Sequence, residues 1–121
     1  MKTCKSSPLF FWTIFIFLVF FQTNAWAKTP VFHIDIQNHL FIPSEITIPA
    51  NTKIKLIIHN KDVEDEEFES YELNREKVII GKNKGIVFIG PLPVGTYPFF
   101  GEFFPKTAQG VVTVIPESNK E

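Results

Sequence analysis

Three histidines and a run of carboxylates hold most of the chemistry this chain could perform. His33, His39 and His59 offer imidazole nitrogens. Glu66, Glu67 and Glu69 lie in the acidic stretch 60–75 (NKDVEDEEFESYELNR), and Glu102 stands alone further on. Carboxylates are hard oxygen donors, suited to Ca, Mg, Mn or oxidised iron rather than to Cu(I). Glu67 and Glu69 project to one side of an extended chain, and Glu66 and Phe68 to the other. His33 falls mid-strand on a polar face, and His39 follows Asn38 at a turn. His59 ends a strand just before the acidic stretch, so it is the histidine best placed to join these carboxylates.

The missing residue types exclude as much as the present ones allow. Lys2 and Lys5 precede an apolar run over 9–21, and Ala25-Trp26-Ala27 then offers a small-x-small cleavage site. This pattern predicts a secretory signal peptide over 1–27, followed by a single domain over 28–121. The alternative is an uncleaved anchor, although the run is shorter than the about 20 apolar residues that span a bilayer. Export implies a periplasmic or secreted location, with no membrane span after cleavage.

Cys4, Met1, Trp12 and Trp26 all fall within 1–27, so residues 28–121 contain no Cys, Met or Trp. A disulfide framework, a thiol nucleophile and a thioether ligand are excluded together. The same 94 residues carry 10 basic and 13 acidic side chains, a net charge of -3. That balance offers no basic field for nucleic acid. A Gly-rich phosphate loop, zinc-ligand spacing and a Gly-x-Ser-x-Gly elbow are all missing. The paired carboxylates of a glycosidase would need a deep cleft, rare in so small a body. The expectation is a protein that is not an enzyme.

Strand patterning dominates 28–121. Val31–Gln37 (VFHIDIQ) alternates apolar and polar residues, as do 44–48 (SEITI) and 53–59 (KIKLIIH). Further strands are predicted at 78–80, 86–89, 96–100 and 111–115, with a turn at 81–85. Short strands separated by turn signals indicate an all-β sandwich or barrel. The stretch 60–75 breaks the rhythm. With Phe68, Tyr71 and Leu73 at spacings of three and two, it reads either as a helical turn or two against the sandwich or as a solvated acidic excursion.

Asn60 after a strand, Phe68, the run Gly95-Thr96-Tyr97-Pro98-Phe99-Phe100 and the run Gly110-Val111-Val112-Thr113-Val114 together resemble a cupredoxin. The resemblance implies an all-β Greek-key sandwich of about seven or eight strands. Residues 66–77 (EEFESYELNREK) and 100–105 (FGEFFP) are more closely similar to exported cupredoxin-like proteins associated with bacterial high-affinity iron permeases. That subfamily usually shows Phe-His-Pro where this chain has Phe103-Phe104-Pro105. Carried over position by position, the family's copper ligands His, Cys, His and Met fall on Glu66, Gly101, Phe104 and Ala108. A blue-copper centre requires the thiolate that gives the Cu–S bond its character, so type 1 copper is rejected. An iron ion, or a copper ion held by other donors, remains as a candidate cofactor.

The family's ligand end also brings the 60–75 and 101–107 loops together. The resemblance therefore implies a metal site of Glu66, Glu67, Glu69 and Glu102, with His59 facing it. The aromatics Phe99, Phe100, Phe103 and Phe104 either cap the core or, at Phe103 and Phe104, form a partner-binding surface. Two functions follow. One is an exported accessory of a bacterial iron or metal uptake system that handles a cation through carboxylates. The other is a metal-free interaction module docking an iron permease or associated envelope protein.

Overall fold

The computed structural model describes residues 28–118. Nine strands follow one another: β1 Val31–Gln37, β2 Leu40–Ile42, β3 Glu45–Pro49, β4 Ile54–Asn60, β5 Glu66–Ser70, β6 Arg75–Ile79, β7 Lys84–Ile89, β8 Gly95–Gly101 and β9 Gln109–Ile115. They form a four-stranded sheet in the order β2-β1-β4-β7 and a five-stranded sheet in the order β3-β9-β8-β5-β6. No helix occurs among the described residues. The signal peptide predicted over 1–27 lies outside them.

Alternation explains the layering. β4 buries Ile54, Leu56 and Ile58 while Lys55, Ile57 and His59 face outward, and β1 buries Ile34 and Ile36 beside it. From the other sheet Ile46, Ile48, Val112 and Val114 close the core. Phe41, Phe68 and Phe99 fill the end nearest the site. Their ring centroids lie 5.0 Å apart for Phe41–Phe99 and Phe68–Phe99, and 6.1 Å for Phe41–Phe68. Contacts of this kind add about 0.5–1.5 kcal/mol each beyond the area they bury.

The acidic stretch is where expectation and structure part. Residues 66–70 form neither a helical turn nor a solvated excursion but β5, a strand paired with β6 on one side and β8 on the other. Glu66, Phe68 and Ser70 point into the sandwich, and Glu67 and Glu69 point out. A buried acid and a buried hydroxyl flank the single inward Phe, so hydropathy alone does not reveal the two-residue period. Ser70 is satisfied: its Oγ donates to the Pro98 carbonyl at 2.7 Å and accepts from Leu73 N–H at 3.1 Å. With the short edge strand β2, β5 brings the strand total to nine.

Asn60, fully buried at the end of β4, fixes the crossing into β5. Its Nδ2 donates to the carbonyls of Glu64 at 2.8 Å and Ile79 at 3.0 Å, and its Oδ1 accepts from Asp62 N–H at 3.0 Å. One amide thus joins β4 in the first sheet to β6 in the second. Unmade buried bonds carry a desolvation penalty. Asn60→Ala is therefore expected to cost about 2–3 kcal/mol, read as a fall of roughly 10–20 °C in Tm by calorimetry.

Candidate functional site

Three connections meet at one end of the sandwich: the β1–β2 turn, the β4–β5 crossing and the β8–β9 loop. Glu66 opens β5 beneath them and is only 1% exposed. Its Oε1 accepts from the Glu67 N–H at 2.9 Å and from the Phe103 N–H at 3.0 Å. The bond to Phe103 ties β5 to the β8–β9 loop. The other oxygen, Oε2, is buried and has no hydrogen-bond partner.

Gly101 and Ala108 pack directly on that carboxylate. A Cβ at Gly101 would lie 2.5 Å from Glu66 Cδ and Oε2 and 2.7 Å from the Ala108 Cβ, so no larger residue fits beside Glu66. The loop between them closes on itself: Gly101 N–H donates to the Ala108 carbonyl at 2.8 Å, and Ala108 N–H to the Phe104 carbonyl at 2.9 Å.

A second tie comes from Asp62. Its carboxylate accepts from the backbone N–H groups of Asn38 and His39, both at 2.9 Å, and lies 3.5 Å from His39 Nδ1. Asn38 and His39 both hold positive φ, at 52° and 59°, and the carboxylate pins this left-handed pair. Burial alone would raise the Asp62 pKa, but the two backbone donors and the charges of His39 and Lys82 outweigh it and hold the carboxyl below its ordinary value. The His39 ring then stacks on Phe104, with centroids 3.6 Å apart and planes 15° from parallel. Nothing in the sequence beyond the Asn38-His39 turn signal marked His39 and Asp62 as a clamp for the β8–β9 loop.

The expected five-residue metal site does not assemble. His59 faces outward from the four-stranded sheet, in register with Asp35 and Lys84, because the strand alternation that buries Ile58 and Asn60 turns it away. Glu66 points into the sandwich by itself. Glu67 and Glu69 share the opposite face of β5, where Glu76, which sequence reasoning did not single out, joins them. Carboxylate oxygens of Glu67, Glu69 and Glu76 lie within 4.8 Å of one another. Glu102 reaches Glu69 from the neighbouring loop. Burial first, and then the charges of Glu102, Glu67 and Glu76, raise the Glu69 pKa. The two aromatic candidates also separate: Phe104 is half-buried against His39, while Phe103 is 48% exposed. A groove of about 340 Å³ runs between His39, Phe103, Phe104, Pro105, Lys106 and Thr107.

A profile of the family described as the cupredoxin-like domain matches residues 10–114, and the chain belongs to that family. An uncharacterized protein of Rickettsia prowazekii (strain Madrid E) is 44% identical over 81 residues, which span 67% of this chain and 65% of that protein. Among solved structures, auracyanin A, a blue copper protein of Chloroflexus aurantiacus, matches with TM-score 0.63 at 11% identity, covering 73% of this chain and all of that one. The metal-binding domain of the Streptococcus pneumoniae Cu(I)-exporting ATPase CopA matches with TM-score 0.60 at 16% identity, over 70% of this chain and 84% of that one. A purple cupredoxin of Nitrosopumilus maritimus matches with TM-score 0.54 at 19% identity, over 69% and 98%. At these identities the likeness concerns the fold.

The fold is thus that of copper-binding proteins, but the residues present do not fit a blue-copper ion. The resemblance placed ligands on Glu66, Gly101, Phe104 and Ala108, and the structure brings Glu66, Gly101 and Ala108 into contact. They supply one carboxylate, no side chain and one methyl. The Phe104 ring is committed to His39. One carboxylate with no thiolate at any of these positions does not make a blue-copper centre.

Two outcomes follow. Glu66→Ala removes the acceptor of two N–H groups and is expected to cost about 2–4 kcal/mol in urea denaturation, whereas Glu66→Gln keeps that acceptor and costs less. Because the Asp62 pKa is depressed on folding, its contribution is present above the ordinary value of 3.8 and is lost as pH falls through the folded value. The stability gap between the wild type and Asp62→Asn should therefore narrow as denaturation is repeated below that pH.

Proposed function

We propose that this protein is an exported accessory of an envelope metal-uptake system, iron being the metal its sequence resemblance favours, and that it works by docking a partner. The observation that carries this reading is Phe103. Nearly half of its surface is open to solvent, yet its backbone N–H is bonded to a buried carboxylate. The exposed ring adjoins an apolar groove walled by His39, Phe104 and Pro105, and a contiguous apolar patch on an anchored loop suits recognition. The copper-protein fold supports descent from metal handling, and the lost ligand set supports a role that no longer needs a resident blue-copper ion. The apolar run over 9–21 supports export, and the similarity of 66–77 and 100–105 to permease-associated proteins supports the choice of system.

A second reading is favoured by one observation, the convergence of Glu67, Glu69 and Glu76 with Glu102 beside them. Four like charges at this spacing are suited to a hard cation. Calorimetric titration with Fe(III), Mn(II) and Ca(II) tests it, with binding heat expected in the wild type and lost in the Glu69→Gln/Glu76→Gln double variant. Equal heats in the two proteins would remove this reading.

The docking function is tested by radio-iron uptake in cells of the native organism that lack the gene. Wild-type protein should restore uptake. Phe103→Asp should fail to restore it while changing stability by less than about 1 kcal/mol, as expected for a surface position. Full complementation by Phe103→Asp, or uptake indifferent to the deletion, would contradict the proposal.

A further inference from the structure

The groove beside Phe103 and the carboxylates of the five-stranded sheet form one continuous surface. Glu102 precedes Phe103 in the chain, and its N–H donates to the Glu67 carbonyl at 2.9 Å, so the loop lies along β5. Glu69 touches Glu102 on one side and stands in register with Glu76 on the other. Phe100, in register with Glu69 across the β5–β8 pair, packs against the exposed Tyr71 with the rings tilted by 54° and their centroids 5.5 Å apart. The acids Glu76, Glu69 and Glu102 therefore adjoin one another on the way to Phe103, with the Tyr71–Phe100 pair beside them.

Among the described residues there are two ion pairs, His39–Asp62 and Lys61–Asp35, and neither neutralises Glu67, Glu69, Glu76 or Glu102. Lys106 stands at the groove rim, and Arg75, which lines a hollow with Glu69 and Glu76, spends its guanidinium on the carbonyls of Phe88 and Asn74, so two cations face four anions. Aromatic faces and carboxylates both attract cations, the first through the ring quadrupole and the second through charge. The groove itself is apolar, walled by the His39–Phe104 stack and Pro105.

We infer that this surface receives a polypeptide segment of mixed chemistry, with an apolar side chain seated in the groove between Phe103 and Phe104 and an adjoining Lys or Arg laid across Glu102 and Glu69. The inference rests on the docking reading and specifies its partner. Charge complementarity selects this occupant over an acidic or purely apolar segment, because only a cation relieves the crowding of the four carboxylates. The Phe103 N–H tie to Glu66 and the His39–Phe104 stack hold the receiving side in shape before the partner arrives, which lowers the ordering cost of binding.

Selection from a displayed random-peptide library, with the 28–121 protein as bait, tests the inference. Recovered peptides should combine an aromatic or aliphatic residue with a neighbouring Lys or Arg. Synthetic copies should lose at least tenfold in affinity for Glu69→Gln/Glu102→Gln and for Phe103→Ser, both with unchanged far-ultraviolet circular dichroism. Peptides that bind the groove but lack basic residues, or that bind the double Gln variant equally well, would overturn the partner chemistry while leaving docking intact. No enrichment over a Phe103→Ser bait would overturn both. Self-association of the bait that competes with the peptides would assign the surface to a second copy of this chain and overturn the inference.

Discussion

A carboxylate sealed inside the sandwich sets the geometry of the loop end. Glu66 receives two backbone N–H groups on one oxygen and leaves the other without a partner. A buried polar group is costly unless hydrogen bonds compensate it, so its bond to Phe103 fixes where the β8–β9 loop must run. Gly101 and Ala108 follow from the same constraint, since the carboxylate fills the space that side chains at those positions would need. These are the positions to which the family resemblance assigns three of the copper ligands. A hydrogen-bonded acid thus joins β5 to the β8–β9 loop, the segments on which the resemblance places those ligands.

The loop is held from below by Glu66 and from the side by the Asp62–His39–Phe104 chain, so the surface above it keeps a fixed shape. Asp62 orders the β1–β2 turn, that turn presents the His39 ring, and the ring fixes Phe104. Phe103, next in the chain, is turned outward with Glu102 beside it. The sandwich core, which includes the Phe41–Phe68–Phe99 cluster directly beneath, supplies the rigid platform. Loops that present function on a rigid scaffold are a common division of labour in β-sandwiches.

Much of this was legible in the residues. The alternation of 31–37, 44–48 and 53–59 marks strands at nearly their observed bounds, whereas the turn expected over 81–85 occupies 81–82 and β7 begins earlier, at Lys84. The likeness of 95–100 and 110–114 to cupredoxins points to the right fold, and the sequence alone shows that the four ligand positions lack Cys, His and Met. β5 was hidden because two of its three inward residues, Glu66 and Ser70, are polar, so the strand period does not appear in hydropathy. His59 was misplaced because proximity along the chain to the acidic stretch does not say which face of β4 a side chain occupies. Glu76 and the Asp62–His39–Phe104 clamp depend on pairing between distant segments, through the β5–β6 register and a turn-to-loop stack, which no local pattern encodes.

The central claim is that the hydrogen bonds of one buried acid, Glu66, organise this end of the molecule. The most direct measurement is hydrogen exchange at the Phe103 amide, followed by NMR in metal-stripped protein and again after addition of Cu(II) or Fe(III). The account predicts slow exchange in the stripped protein and the same rate with either ion. Fast exchange that becomes slow only when a metal is added would contradict it.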